Sequence, residues 1–200
     1  YSLLKDQPAL VKMELQDREG KTIKVLEQEL PKATGSIKIP VSNPHKWDAE
    51  HPYLYTLQTT LYAEGQASII SIEKVGFREV KVDGNRLLVN GMPVKLRGAC
   101  RHNIHPTLGR MTTPEYDRLD VLLAKECNMN FIRTSHYPPS ETFLDYCDRY
   151  GIYVEDETAV CFVGSHRTEA YRESGATENN SDFTDRYLSQ LGEMIENHRN

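Results

Sequence analysis

The feature that most constrains this chain is a change of hydrophobic period near Gly84. Before it, short alternating runs rich in β-branched residues are separated by turn residues. After it, strand-length apolar runs alternate with segments of helical spacing. Side chains repeat every two residues on a strand and about every 3.6 on a helix, so one regular element type cannot hold both halves. The chain therefore reads as a β unit followed by an α/β unit, with a boundary placed at residues 80/81.

In the first half, Val11, Met13 and Leu15 alternate with polar residues up to Asp17-Arg18-Glu19-Gly20, and residues 22–29 resume an extended pattern, which predicts a hairpin. Residues 36–40, 54–62 and 67–71 continue in period two between Pro, Gly and Asn. Several strands so spaced predict an antiparallel sandwich, with a first strand expected to precede the chain.

In the second half, residues 86–90 and 92–97 read as extended. Residues 113–128 carry Tyr116, Leu119, Leu122, Leu123 and Cys127 at helical spacing behind Thr112 or Thr113 as cap and Pro114 in the first turn. A strand over 130–133, a helix over 140–150 and a strand over 152–155 follow. Residues 165–181 read as a loop or weak helix on the rim. Residues 182–199 form an amphipathic helix with Tyr187, Leu188, Leu191, Met194 and Ile195 expected to face inward. Strand, helix, strand, helix, strand is the opening of a parallel α/β fold. It provides the first units of a (β/α)8 barrel, which needs eight strands and about 250 residues to close.

Composition narrows the partners. A net charge of −5 with dispersed Lys and Arg offers no basic stripe for nucleic acid, and no apolar run reaches the ~20 residues that cross a bilayer. The compartment stays open between cytoplasm and periplasm. Cys100, Cys127, Cys147 and Cys161 never form C-x-x-C, so they are expected to be reduced and mostly buried rather than zinc ligands.

In a barrel, reactive groups gather at the carboxyl ends of strands. Three clusters fall there: Arg101-His102-Asn103-Ile104-His105-Pro106, Arg133-Thr134-Ser135-His136-Tyr137-Pro138 and Asp156-Glu157. His, Asn and Arg suit sugar hydroxyls because they supply short, directional hydrogen bonds; the plainer alternative is that each His bonds a backbone carbonyl. Asp156 and Glu157 are adjacent and so expected to diverge, which argues against their being the two carboxylates that flank a glycosidic bond. One is expected to bond Arg or His neighbours and the other to face the barrel wall. His102, His105 and Asp156 as metal ligands, or Cys100 or Cys161 as a nucleophile with His102 as base, are weaker readings.

At these residues the chain resembles family 2 glycoside hydrolases of the β-galactosidase and β-glucuronidase type. The segment Pro44-His45-Lys46-Trp47-Asp48-Ala49-Glu50-His51-Pro52-Tyr53-Leu54-Tyr55 is similar to the signature of that family's immunoglobulin-like sandwich, and Val75-Gly76-Phe77-Arg78-Glu79-Val80 to the exit toward its barrel. Leu88-Val89-Asn90-Gly91-Met92-Pro93-Val94 resembles the lead-in hairpin. The most specific match is residues 130–138, ending Arg133-Thr134-Ser135-His136-Tyr137-Pro138, followed by Asp145, Cys147, Asp148 and residues 150–157.

The resemblance implies an immunoglobulin-like sandwich and an incomplete TIM barrel, from an enzyme that releases terminal β-linked sugars with retention. It implies sugar contacts from His102 and His136, support from Arg133 and a polar neighbour in Asn103. Arg101, Tyr137, Asp156 and Glu157 stand behind or beside the pocket. The family's acid/base and nucleophile glutamates follow later strands and are expected outside this chain, so no catalytic residue is assigned within it. No cofactor is expected in this stretch. The family's magnesium ligands correspond to Cys161 and Val163, so a magnesium site in the parent is not matched there. The expected partners are a β-linked glycoside, the remaining domains of the parent chain and, through open strand edges, a second copy of it. The leading sugar is a β-galactoside. The competing classes are a β-glucuronidase, a small metal-dependent hydrolase, and a non-catalytic carbohydrate-binding or interaction module, which would require an exposed aromatic platform at Trp47.

Overall fold

A short turn sets the register of the first hairpin. Asp17 accepts from Gly20 N (3.1 Å) and, through its carboxylate, from Lys21 N (2.8 Å). Gly20 takes φ 83°, a conformation that favours a residue without Cβ. The computed structural model describes residues 9–30, 35–63, 66–159 and 181–198. They fall into two compact units, Tyr1–Pro93 and Val94–Asn200.

The first unit holds β1 (Ala9–Gln16), β2 (Thr22–Leu30), β3 (Tyr55–Ala63) and β4 (Gln66–Val75) in one antiparallel sheet of order β2-β1-β3-β4. A smaller meander of β5 (Val80–Asp83), β6 (Arg86–Val89) and β7 (Met92–Pro93) follows. Val11, Leu15 and Tyr55 are buried, as is Trp47. Trp47 N donates to Phe77 O (2.8 Å), and Asn90 Nδ2 donates to Trp47 O (3.0 Å). Trp47 thus ties the sheet to its exit strand and presents no platform to a ligand.

Residues 36–40 are not a strand. β1 is already paired on both sides, and among the described residues nothing offers Ile37 and Ile39 a ladder partner, without which period two cannot become a strand.

The second unit contains β8 (Gly98–Arg101), α1 (Pro114–Glu126), β9 (Phe131–Thr134), α2 (Glu141–Tyr150), β10 (Tyr153–Glu155) and α3 (Thr184–Asn197), the last preceded by a 3-10 turn at Ser181–Phe183. The three strands form a parallel sheet of order β10-β9-β8. Both helix starts are capped by side chains, Thr113 accepting from Tyr116 N and Ser140 from Phe143 N. The Glu115 carboxyl lies below its usual range because its own backbone N–H and the Thr113 hydroxyl bond it. α2 ends on Gly151 in the left-handed conformation. Between helices and sheet lie Val121, Ala124, Ile132, Phe143, Cys147 and Ile152. The fold class is that of an immunoglobulin-like domain followed by the opening strands and helices of a TIM barrel, without a closed barrel among the described residues.

Four expectations change. The extended run expected over 92–97 is a strand only at Met92–Pro93, and β8 begins at Gly98, because the Asn130 side chain takes the hydrogen bonds of Arg97 N (2.8 Å) and Lys95 O (3.1 Å) that a ladder would use. α1 buries Asp117, Val121 and Ala124, while Leu119 and Leu123 stay exposed, because a buried arginine beneath the helix draws in Asp117. In α3 no residue is buried, and Leu188, Leu191 and Ile195 are exposed. Its C-terminal half, at Gln190, Glu193, Met194, Asn197 and His198, lines a cavity with Pro138, Thr158 and Ala159. Of the described cysteines Cys147 alone is buried; Cys100 and Cys127 are exposed beside an open groove along β8, which among the described residues pairs on one side only. Cys161, Val163 and the rim segment at 165–180 lie outside the described residues.

Candidate functional site

Pleating divides β9 between two faces. Ile132 points to the helices, so Arg133 points to the other face, in register with Cys100 on β8 and Glu155 on β10. Beyond the carboxyl ends of the three strands lie His102 and Asn103, then Ser135, His136 and Tyr137, then Asp156 and Glu157. The three clusters therefore meet at one edge of the sheet.

The rings of His102 and His136 meet edge to face with centroids 5.3 Å apart, and Tyr137 lies 6.2 Å from His102. Asn103 N donates to Tyr137 Oη (3.1 Å). His136 Nδ1 is 3.0 Å from Glu157 Oε1. The other oxygen of Glu157 makes a 2.8 Å ion-pair contact with Arg133 Nη2, without hydrogen-bond alignment. Glu157 thus clamps a histidine and an arginine from one neighbouring strand. Partial burial acts against the Arg133 cation, but Glu157, Cys100 and Glu155 outweigh it and raise its pKa.

Asp156 goes elsewhere. It accepts from Thr134 Oγ1 (3.2 Å) and pairs with His198 at the end of α3. The adjacent carboxylates diverge and do not flank a common point. Neither faces a bare barrel wall, since both are bonded. Thr134 Oγ1 also accepts from Glu157 N (3.1 Å), which fixes the backbone turn between them.

His105 is held locally. Its Nδ1 accepts from Thr107 N (3.1 Å) and Leu108 N (3.2 Å), and its ring packs 4.0 Å from Tyr116. His102, His105 and Asp156 do not gather, and among the described residues no three His, Cys, Asp or Glu side chains form a group able to hold a metal.

Arg101 turns to the helix side. It bonds Asp117 (2.6 Å), Asp120 (2.7 Å) and Asn103 Oδ1 (2.6 Å), with its guanidinium 4.1 Å above the Phe143 ring. Asp117 also accepts from the Ser140 hydroxyl (2.5 Å). Sequence reasoning did not find the roles of Asp117, Asp120 or Ser140, because Asp117 lies off the leucine face from which the core of α1 was read; the small apolar residues Val121 and Ala124, four and seven positions on, were the available signal for that face.

Family models match both units: one described as glycosyl hydrolases family 2 over residues 5–78, and one described as the family 2 TIM barrel domain over residues 80–200. The chain belongs to glycosyl hydrolase family 2. It is 34% identical over 164 residues to a β-galactosidase of Psychromonas ingrahamii, covering 82% of this chain and 15% of that protein. It is 40% identical over 143 residues to a β-galactosidase of Staphylococcus xylosus, covering 72% of this chain and 13% of that protein. The crystal structure of a Parabacteroides merdae β-glucuronidase superposes with a TM-score of 0.79 at 29% identity, over 97% of this chain and 23% of that one. The chain thus spans about 15% of the length of the first of these curated relatives. No described helix is long and apolar enough to cross a membrane.

Proposed function

We propose that this chain supplies one wall of the sugar pocket in a retaining exo-β-glycosidase, with a terminal β-galactoside as substrate. The observation that carries the proposal is the meeting of His102 and His136 at the carboxyl edge of a parallel sheet, beside Asn103 and Tyr137. In this reading the histidines and Asn103 bond sugar hydroxyls, and Arg133 and Glu157 hold His136 in place. The hydrogen bonds strengthen as the ring flattens toward its oxocarbenium-like state, which lowers the barrier without proton transfer by these groups.

The acid/base and nucleophile glutamates come from other parts of the enzyme. One protonates the glycosidic oxygen while the other attacks the anomeric carbon, and water then releases the sugar with retention. The proposal includes no cofactor for this stretch. Cys161 and Val163, placed by family likeness at magnesium-ligand positions, offer a thiol and an alkyl group. Those do not fit a hard cation that requires oxygen ligands.

β-Galactoside specificity is supported by the two β-galactosidases at 34% and 40% identity. A β-glucuronide is the second reading, favoured by the likeness to the P. merdae β-glucuronidase. Hydrolysis of aryl β-galactoside, β-glucuronide and β-mannoside by this chain alone and by the intact enzyme that contains it tests both. Turnover of the galactoside by the intact enzyme alone is expected, and preference for the glucuronide moves the assignment to the second reading. Turnover by the chain alone, abolished in Asp156→Asn or Glu157→Gln, would overturn the placement of the catalytic carboxylates.

A further inference from the structure

Asp117 is 2% exposed and sits on the buried face of α1, among apolar neighbours. A carboxylate in such a place is costly unless paired and fully hydrogen-bonded. Its partners are the Arg101 guanidinium at 2.6 Å and the Ser140 hydroxyl at 2.5 Å. Asp120, one turn along α1, takes Arg101 Nε at 2.7 Å, and the Phe143 ring lies 4.1 Å beneath the guanidinium. Held on two edges and one face, Arg101 has little rotational freedom left. Its Nη1 is delivered to Asn103 Oδ1 at 2.6 Å.

That last bond has a chemical consequence. A guanidinium only donates, so the Asn103 carbonyl oxygen must face it. The planar amide then turns its two N–H donors away from Arg101. The Asn103 backbone is pinned from the other side by Tyr137 Oη, which accepts from its N–H at 3.1 Å. Among the described residues nothing accepts a hydrogen bond from Asn103 Nδ2.

We propose that Asp117 is a positioning residue for the sugar pocket, acting through Arg101 to lock the Asn103 amide with its NH2 group offered to a sugar oxygen. This rests on the pocket reading above and adds to it the direction of one hydrogen bond and the residue that sets it. Neutralising Asp117 loosens Arg101 and lets the Asn103 amide rotate, which weakens donation to that oxygen alone. A scaffold role for Asp117, joining α1 to α2 through Ser140, would instead affect all substrates alike.

The test is a cycle in the intact enzyme, with Asp117→Asn, Asn103→Ala and the double variant assayed on an aryl β-glycoside that the wild type hydrolyses and on its monodeoxy analogues. Asp117→Asn is expected to lower kcat/KM about tenfold on the full glycoside, the worth of one directional hydrogen bond. The loss is expected to disappear on the one analogue that lacks the oxygen bonded by Asn103, and to disappear in the Asn103→Ala background. An equal loss on every analogue, additive with Asn103→Ala, overturns the positioning role. Should Asp117→Asn not fold, Asp120→Asn, on the more exposed edge of the same guanidinium, carries the same cycle with the same two outcomes. A wild-type enzyme that hydrolyses no aryl β-glycoside overturns the pocket reading and this proposal together, a result distinct from a uniform loss in a working enzyme.

Discussion

His102 and His136 come from loops after different strands, yet their rings meet edge to face at 5.3 Å. The parallel register of β8 and β9, Arg101 opposite Thr134, brings the two loops level. The pairing is therefore a product of sheet geometry, and each ring limits where the other can turn.

A double-mutant cycle on this pair in the intact enzyme follows. His102→Ala and His136→Ala are each expected to reduce kcat/KM by about tenfold or more, the loss of at least one hydrogen bond to substrate. The double variant should lose less than the product of the two, since touching residues couple. Independent, multiplicative losses would show that the rings act separately.

Glu157 bonds His136 and Arg133 at once, so its variants should separate shape from charge. Glu157→Gln retains an acceptor for His136 and loses the charge facing Arg133, whereas Glu157→Ala loses both. The expectation is a stability loss of about 1–2 kcal/mol for alanine, smaller for glutamine, with activity falling in the same order. Thermal unfolding and kcat/KM, measured on the same preparations, check the order.

Gly98 opens β8, and a Cβ there would lie 1.7 Å from the Phe131 carbonyl oxygen. The clash is with backbone, so strand pairing itself must give way. Gly98→Ala is expected to destabilise the barrel domain by about 3 kcal/mol or more. A denaturation midpoint unchanged from wild type would contradict the close approach of β8 and β9.

Burial, aided by the neighbouring Asp148 carboxylate, pushes the Cys147 thiol pKa up. The unfolded thiol ionises near about 8.5, and the folded one only well above that. The folded state therefore holds the proton longer, and stability present below about pH 8.5 declines as pH rises, by up to about 1.4 kcal/mol per unit. Urea unfolding between pH 7 and 10.5 should show that decline, and Cys147→Ala should flatten it at the cost of a small cavity. An equal slope in both proteins would assign the alkaline loss to other groups.

Helix limits were legible because their signals are local. Thr113 with Pro114 marks the start of α1 through a cap to Tyr116 N, and the span read over 140–150 matches α2, whose ends the structure shows capped by Ser140 and Gly151. His102 and His136 were singled out through family likeness and their position after apolar strand-length runs, and the sheet register brings the two together. The buried face of α1 was not: leucine spacing pointed to Leu119 and Leu123, but Asp117 is inside. Its reason for being there, Arg101, comes from a preceding strand.

The sequence by itself determined the two-part architecture, the turn at Gly20, the cap at the start of α1 and the clustering of polar residues after each barrel strand, because these follow from backbone periodicity and short-range hydrogen bonding. Only the tertiary structure decided that Glu157 bonds Arg133 and His136 while Asp156 bonds Thr134 and His198. It alone decided that Arg101 turns to Asp117 on the helix side of the sheet, and that residues 36–40 find no strand partner among the described residues. Each of those outcomes depends on which distant group can supply a charge, a donor or a ladder edge within about 3 Å. That proximity is fixed by the register of the sheet and the packing of helices upon it.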